Sequence, residues 1–270
     1  MSRFASRSAI DSMNEISALF HRRRGDMRLL ISVASAAEAP AALVGGADII
    51  DAKDSLAGAL GAVSVAVLRD IHAAVGGVRP VTAALGDASD EAAIERAAAA
   101  FTAAGAAVVK IGFRGITSPA RVAALIAAAV RGARTRSDNC AGVVAAAYAD
   151  ADRSASLAPA VLTEVAARAG ADGLLIDTAD KRGPGLRRLV APGALAALVA
   201  EAHEAGLFVA LAGKLTSDDL PFVRDAGADI AGVRGAACDG GRTGRVAAGK
   251  VRLLRSLCAA SSVLDPAAQR

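Results

Sequence analysis

The chain has 270 residues, of which 54% are hydrophobic and 3% aromatic, and it carries a formal net charge of +4. Such a mild excess of basic residues, with no aromatic side chains interleaved among them, argues against a nucleic-acid partner. Charges such as Lys110, Arg121 and Glu164 interrupt the alanine-rich stretches before these reach the length of a membrane span, so we expect no membrane partner.

The first 26 residues form a basic, serine-containing extension. They lack the apolar core of a secretory signal, so we interpret residues 1–26 as a flexible or loosely docked N-terminal extension. Met27 directly precedes the first predicted strand and is a second candidate for the start of the functional unit.

The cysteines and histidines do not form a recognisable metal site. Cys140, Cys238 and Cys258 match no zinc or redox spacing, which is typical of reduced thiols in a cytoplasmic protein. The three histidines are scattered along the chain. The sequence therefore predicts no metal, and we expect a soluble protein in the cytoplasm.

A Gly-Ala-Asp or Gly-Ala-Ala phrase recurs along the chain at intervals of 57 to 65 residues. Its copies begin at Gly46, Gly105, Gly170 and Gly227. Each copy follows an alanine-rich helical stretch, where glycine is expected just past the helix end because it takes a positive φ without steric cost. Each copy also precedes a short apolar run, so the phrase predicts the end of a helix and the start of a strand.

A βα unit of a barrel takes about 30 residues, so each interval holds two units. The phrases then mark the even-numbered strands, at Ile49–Ile50, Val108–Val109, Leu174–Ile176 and Ile230–Val233. The odd-numbered strands are predicted at Leu29–Val33, Pro80–Ala84, Gly142–Ala147 and Leu207–Ala212. Eight such units predict an α/β fold, a single (β/α)₈ TIM barrel over residues 27–260 with a C-terminal tail at 261–270. Two small domains or an open doubly wound sheet are alternatives, although no G-x-G-x-x-G motif follows the first strand.

Charged side chains fall where the predicted strands end. Positions five and seven after each repeat glycine share parity and therefore point to one face of a strand. This places Asp51, Lys53, Lys110, Asp177 and Arg234 inside the barrel mouth, where barrel enzymes carry their chemistry. Further polar residues at strand ends or in the following loops are Asp87, Tyr148, Asp150, Lys181 and Lys214. Because a buried charge is costly unless paired, the set is either an ion-pair network or a catalytic site with a nucleophilic lysine.

Glycine-rich loops follow the last two predicted strands and predict a phosphate site. The candidate ligands are Gly213, Gly232, Arg234, Gly235 and Ala236. Glycine lets backbone N–H groups approach an anion closely, and barrels often bind phosphate at this position. The alternative is that these glycines only make tight turns. The segment 58–61 after the second strand is interpreted equally well as a mobile cover or as an ordinary turn.

Taken in order, these segments resemble the (5-formylfuran-3-yl)methyl phosphate synthase family, which acts in the biosynthesis of methanofuran-type C1 carriers. The resemblance extends from about Met27 to Leu257. It is carried by Gly-Gly-Ala-Asp-Ile-Ile-Asp-Ala-Lys (45–53), Gly-Asp (86–87), Val-Lys-Ile-Gly (109–112), Tyr-Ala-Asp-Ala (148–151), Asp-Thr-Ala-Asp-Lys (177–181), Leu-Ala-Gly (211–213) and Val-Arg-Gly-Ala-Ala-Cys (233–238). Each segment is weak alone, but their order and their spread over seven strand ends make the set specific.

The resemblance implies a condensation of two molecules of glyceraldehyde 3-phosphate, with loss of phosphate and water and without a metal or organic cofactor. The Schiff-base lysine of the family falls on Lys53 and its proton-transferring lysine on Lys110. Other polar positions of the family site fall on Asp51, Asp177 and Lys181. The residues themselves support this chemistry, because an amine nucleophile provides an electron sink without a metal.

The sequence leaves other functions open. A class I aldolase-like barrel acting on another phosphorylated sugar is one alternative. A non-catalytic barrel that binds a phosphorylated metabolite and a nucleotide- or flavin-phosphate barrel are two more. The chain departs from the family pattern in residues 1–26, and Lys214 is assigned no side-chain role. The alanine-rich helices would pack well against further subunits, which favours a homo-oligomer.

Overall fold

The computed structural model describes residue 20, residues 27–135 and residues 140–259. Apart from Phe20, the N-terminal extension predicted at 1–26 lies outside the described residues, as does the tail predicted at 261–270. Among the described helices, none is long and apolar enough to cross a membrane.

Eight parallel strands form a closed barrel in which neighbours in the chain are neighbours in the sheet, and the last strand pairs with the first. The strands are β1 Arg28–Val33, β2 Ile49–Ala52, β3 Val81–Asp87, β4 Val108–Gly112, β5 Gly142–Tyr148, β6 Gly173–Asp177, β7 Phe208–Leu211 and β8 Ile230–Val233. The predicted single (β/α)₈ barrel and each of its predicted strands are confirmed. The ends of β3 and β4 lie three residues beyond the predicted runs, and the closed pairing excludes the open sheet.

Helices alternate with these strands around the outside of the barrel. They are α1 Ala39–Val44, α2 Val65–Val75, α3 Glu91–Ala103, α4 Pro119–Ala133, α5 Ala151–Ser154, α6 Pro159–Arg168, α7 Leu186–Leu189, α8 Pro192–Glu204, α9 Leu220–Asp225 and α10 Ala248–Cys258. A short antiparallel hairpin, β9 Cys238–Asp239 and β10 Arg245–Val246, follows β8. Local sequence sets several helix starts, because the side chains of Ser64, Asp90 and Ser118 accept hydrogen bonds from backbone N–H groups of the first turn.

The repeat glycines set the height of the even strands. Gly46, Gly105, Gly170 and Gly227 have φ between 83° and 102°, as predicted for glycine just past a helix end. In every copy the strand begins three residues after the glycine. Equivalent positions of β2, β4, β6 and β8 therefore lie at equal heights in the barrel, which brings their polar ends together.

The core has two layers. Outward-facing strand residues pack against the helices, and inward-facing residues such as Ile49, Val108 and Ile230 fill the barrel. At the amino-terminal end of the interior, the ring of Phe208 stacks on Phe20 with centroids 5.3 Å apart. Because apolar side chains fill this end, the polar inward-facing residues remain at the carboxyl end, where barrels place their sites.

Candidate active site

A cavity of about 430 Å³, called the main cavity below, opens at the carboxyl ends of the strands. It is lined by all of the residues predicted to be catalytic or to bind phosphate: Asp51, Lys53, Lys110, Asp177, Lys181, Gly213, Gly232, Arg234, Gly235 and Ala236. The alternation of side chains along the even strands therefore predicted correctly which residues face inwards. Apolar residues, among them Leu30 and Leu175, complete the wall.

Asp51 forms the floor of the main cavity, and both oxygens of its carboxylate are hydrogen-bonded. Its Oδ2 accepts from the Ser32 hydroxyl at 3.0 Å, and its Oδ1 accepts from the Thr82 hydroxyl at 2.8 Å and from Lys110 Nζ. The strand register places these residues side by side on β1, β2 and β3. Burial raises the pKa of Asp51, but the ammonium groups of Lys110 and Lys53 outweigh burial and hold this pKa below its ordinary value. Asp51 is therefore ionised and holds Lys110 in place.

Lys110 lies inside the barrel with its side chain almost fully buried. Burial lowers the pKa of Lys110 below its ordinary value, and the opposing charge of Asp51 only partly offsets this effect. An ammonium group with a lowered pKa gives up its proton more readily than an exposed lysine does. Lys110 is therefore suited to moving protons within the main cavity.

Asp177, at the end of β6, has one oxygen engaged and one free. Oδ1 accepts from Lys181 Nζ at 2.5 Å and from the Thr178 N–H at 2.7 Å. Oδ2 is buried and has no hydrogen-bond partner within the described part of the chain. Burial raises the pKa of Asp177, but Lys181 and Lys53 outweigh it, so that the pKa is lowered overall. An ionised oxygen without a partner is placed to accept a hydrogen bond or a proton from a bound molecule.

Lys53 differs from the other three lysines that line the main cavity in the hydrogen bonds of its amine. Its Nζ lies 3.9 Å from Asp177 Oδ2, which is too long for a hydrogen bond. Lys110 and Lys181 are each bonded to an aspartate, and Lys214 is bonded to a backbone carbonyl. No described residue accepts a hydrogen bond from the Lys53 amine. Lys53 is therefore the lysine most available to form a bond with a carbonyl compound.

The loop after β7 turns sharply where the phosphate site is predicted. The φ angle is +107° at Gly213 and +60° at Lys214, and a Cβ on Gly213 would lie 3.0 Å from Thr178 Cγ2. Glycine is therefore required at 213. Lys214 Nζ donates to the Gly183 carbonyl at 2.5 Å and fastens this loop to the one after β6. Gly213 and Gly235 present only backbone to the main cavity, which suits an anion held by N–H groups.

The guanidinium of Arg234 is occupied by the protein itself. It forms a bidentate pair with Glu38, at 2.6 and 3.0 Å. Its other hydrogen bonds go to the carbonyl oxygens of Ser32, Arg242 and Gly244. All five N–H groups of the side chain are thereby used. The side chain fastens the loop after β8 to the segment after β1, so a role for Arg234 in holding phosphate stays a prediction that rests on its backbone.

Three polar residues expected at the barrel mouth brace loops and do not line the main cavity. The Tyr148 hydroxyl donates to Asp87 Oδ1 at 2.6 Å, and burial together with the Asp87 charge raises the pKa of Tyr148. Asp150 accepts hydrogen bonds from the N–H groups of Ala179 and Asp180, at 2.6 and 2.9 Å. Asp150 thus fixes the loop that carries Lys181.

Sequence reasoning missed several polar residues at the site, among them Ser32, Thr82, Thr216 and Arg242. Ser32 and Thr82 are inward-facing residues of β1 and β3, and the alternation rule applied to the odd strands would have found them. Arg242 lines the main cavity from the turn between β9 and β10, which no strand pattern predicted.

Comparison with known proteins identifies relatives of the whole barrel. The family model described as 4-HFC-P synthase matches residues 29–255. A (5-formylfuran-3-yl)methyl phosphate synthase of Methanopyrus kandleri is 41% identical over 234 residues, which cover 86% of this chain and 98% of the relative. One of Methanosarcina barkeri is 37% identical over 235 residues, covering 87% and 100%. The solved structure of a 3-hexulose-6-phosphate synthase has a TM-score of 0.59 at 24% identity over 86% of this chain and 99% of that one, a likeness of fold alone.

Proposed function

This chain belongs to the 4-HFC-P synthase family, and on that premise we propose that it makes (5-formylfuran-3-yl)methyl phosphate from two molecules of glyceraldehyde 3-phosphate through a Schiff base at Lys53. The observation that carries the proposal is the uncommitted amine of Lys53, 3.9 Å from the unpartnered Oδ2 of Asp177. A carbonyl compound bound between them meets a nucleophile and a proton acceptor at once.

The balance of the reaction defines what the site must do. Two triose phosphates contain six carbons and two phosphates, and the furan product keeps six carbons and one phosphate. The atoms balance when one phosphate and two molecules of water leave, with no net oxidation or reduction. The steps are therefore carbon–carbon bond formation, ring closure and eliminations, all of which run on proton transfer and an imine electron sink. We accordingly assign the reaction no metal or organic cofactor.

Lys53 starts the reaction in this scheme. Its neutral amine adds to the carbonyl of one triose phosphate, after that triose has isomerised to the ketone, and loss of water gives the imine. The second triose loses the proton from the carbon beside its aldehyde and then expels its phosphate, which leaves the enol of a three-carbon ketoaldehyde. The methylene carbon of this enol attacks the imine carbon, and the electron pair of the C=N bond passes to the nitrogen. The new bond joins the middle carbon of the first triose to the end of the second and gives the branched skeleton of the product. The free hydroxyl of the first triose closes the ring on the new ketone, and loss of one water and of the Lys53 amine completes the furan.

The remaining side chains divide the proton transfers. Asp177 Oδ2 accepts the proton from the carbon beside the aldehyde of the second triose, and Lys181, bonded to Oδ1, keeps Asp177 ionised. Lys110 donates protons to the departing phosphate and hydroxyl groups, because burial lowers its pKa. Asp51 holds Lys110 in position. The product would be the furan precursor of a methanofuran-type C1 carrier.

Incubation of the protein with glyceraldehyde 3-phosphate tests the proposal. We expect a near-ultraviolet absorbance typical of a furan aldehyde, the mass of its phosphate ester, and one inorganic phosphate released for each furan formed. Lys250→Arg, at a lysine on α10 that does not line the main cavity, is the matched control and should behave as wild type. An aldol product without phosphate release would favour the class I aldolase alternative instead.

A further inference from the structure

A second cavity, of about 390 Å³, lies beside the main cavity and shares Lys181 and Arg242 with it. Its wall comes from segments that follow β2, β4, β5, β6 and β8, all at the carboxyl end of the barrel. The reaction steps proposed above leave most of this cavity without a role.

The second cavity is strongly cationic. One carboxylate, that of Asp180, faces five positively charged side chains, which are Arg114, Arg153, Lys181, Arg182 and Arg242. Charges of one sign gathered in a concave surface attract an ion of the opposite sign and raise its local concentration. The second cavity therefore favours an anion.

The arginines of the second cavity have N–H groups to spare. Arg242 donates from Nη2 to the Gly58 carbonyl at 2.7 Å, and Arg153 donates from Nη2 to Asp180 at 2.6 Å. The Arg182 side chain is 98% exposed, and its ion pair with Asp180 is long, at 3.9 Å. The other N–H groups of these three side chains meet no acceptor among the described residues. Guanidinium forks match the oxygen atoms of phosphate, and several forks can share one phosphate dianion.

Arg114 is held in place at the second cavity by three neighbours, of which Ala179 also lines the cavity. Its Nη2 donates to the Ala179 carbonyl at 2.9 Å, and its guanidinium lies over the Tyr148 ring, 5.9 Å from the centroid. Its Nε is 3.8 Å from Asp87. A guanidinium oriented in this way loses less conformational freedom when it binds an anion.

We propose that the second cavity binds the phosphate of the second triose, while the loops after β7 and β8 hold the phosphate of the first. This inference rests on the proposed function, which brings two phosphorylated trioses to one lysine. Gly213 and Gly235 line the main cavity alone, whereas Lys181 and Arg242 line both cavities. The shared cations then separate the two phosphate groups and reduce their mutual repulsion. The carbons of the two trioses that become bonded meet in the main cavity, at Lys53.

The double variant Arg153→Gln/Arg182→Gln tests the assignment. Both side chains are more than half exposed, so the fold should tolerate the change. We expect the KM for glyceraldehyde 3-phosphate in furan formation to rise about tenfold with a smaller change in kcat, since exposed charge-assisted hydrogen bonds are lost. Borohydride trapping of dihydroxyacetone phosphate on Lys53 should be unchanged. Arg131→Gln/Arg168→Gln removes the same charge from exposed positions on α4 and α6, and it should leave the KM unchanged.

An unchanged KM in Arg153→Gln/Arg182→Gln would overturn the proposal. A parallel loss of trapping and furan formation would also overturn it, because the arginines would then serve the first triose. If wild-type protein formed no furan, the proposed function would fail, and titration with inorganic phosphate would still test the second cavity. We expect this titration to find two phosphate-binding sites in wild type and one in Arg153→Gln/Arg182→Gln. Equal numbers of sites in the two proteins would contradict the assignment.

Discussion

The lysines of the main cavity differ at the scale of single residues by what binds their amines. Lys110 is bonded to Asp51 and Lys181 to Asp177, so each shares its charge with a carboxylate. A lysine must be neutral, with its lone pair free, to attack a carbonyl carbon. Lys53 is 3.9 Å from its nearest carboxylate oxygen and keeps its amine free of hydrogen bonds within the described chain. Lys53, Lys110 and Lys181 therefore have different tasks although they line the same cavity.

Substitution of Lys53 by arginine keeps the positive charge but removes the amine that forms an imine. We expect furan formation to fall by at least about 10³-fold, on the scale seen when one member of a covalent catalytic unit is removed. Borohydride reduction in the presence of substrate, followed by peptide mass spectrometry, should label Lys53 in wild type and label no lysine in the variant. Lys250→Arg should keep both activity and label. A label on Lys110 or Lys181 in wild type would contradict the assignment of Lys53.

The direction of a side chain could be predicted from the sequence, but its partner could not. Alternation along a strand is a local property, and it placed Asp51, Lys53 and Asp177 in the main cavity correctly. The partner of Arg234 is Glu38, which lies 196 residues away in the chain and meets it only because the barrel closes. The charge of Arg234 and its position after β8 predicted that its side chain binds phosphate. In the closed barrel its guanidinium instead binds the Glu38 carboxylate.

At the scale of the elements, the end of β4 packs closely against its neighbours. A Cβ added to Gly112 would lie 2.5 Å from Tyr148 Oη and 2.6 Å from Leu60 Cδ1, and it would also meet Asp87 Oδ1. The hydrogen bond between Tyr148 and Asp87 therefore needs the space that glycine leaves. Gly112 stands two residues after Lys110 on the same strand, so its packing also fixes the height of that lysine.

Gly112→Ala should therefore disturb β4 from within. We expect the free energy of unfolding in urea to fall by about 1–3 kcal/mol, the usual cost of overpacking a dense interior. Gly193→Ala in α8 is the control, because an added Cβ meets nothing within 4 Å there. It should be neutral or stabilising by up to about 1 kcal/mol, since alanine favours a helix over glycine. Equal stability of the two variants would contradict the packing of Gly112.

The elements with a regular pattern were predictable, and the short ones were not. The repeat glycines located the even strands because one backbone turn recurs at each of them. The hairpin of β9 and β10 has strands of two residues, too short for any hydrophobic period to emerge. Arg242 lies in the turn of this hairpin, so its position in the walls of both cavities could not be predicted from the sequence.

At the scale of the whole molecule, the main cavity places two ion pairs inside a barrel that would be more stable if filled with apolar side chains. Burial raises the pKa of both Asp51 and Asp177, but the neighbouring lysines outweigh it and lower both values. The unfolded chain therefore binds more protons than the folded chain when the pH lies between the lowered pKa values of the folded state and 3.8, the ordinary pKa of aspartate. The stabilisation is present above that range and is lost as the pH falls through the folded values. Each unit by which the pKa of a carboxylate is lowered on folding contributes about 1.4 kcal/mol to the free energy of unfolding.

Asp51→Asn keeps the shape of the side chain and leaves Lys110 buried without its counter-ion. We expect the free energy of unfolding to fall by about 3–5 kcal/mol near neutral pH, the cost of breaking a buried ion pair. This difference from wild type should shrink as the pH falls below 3.8, because the unfolded wild-type chain then takes up a proton at Asp51 while the folded chain resists doing so until the pH passes its lowered pKa. Urea titrations at a series of pH values measure it. Asp70→Asn, at an exposed carboxylate on α2, should stay within about 0.5 kcal/mol of wild type. A difference for Asp51→Asn that is constant across the acid range would show that Asp51 is not the ionised partner of Lys110.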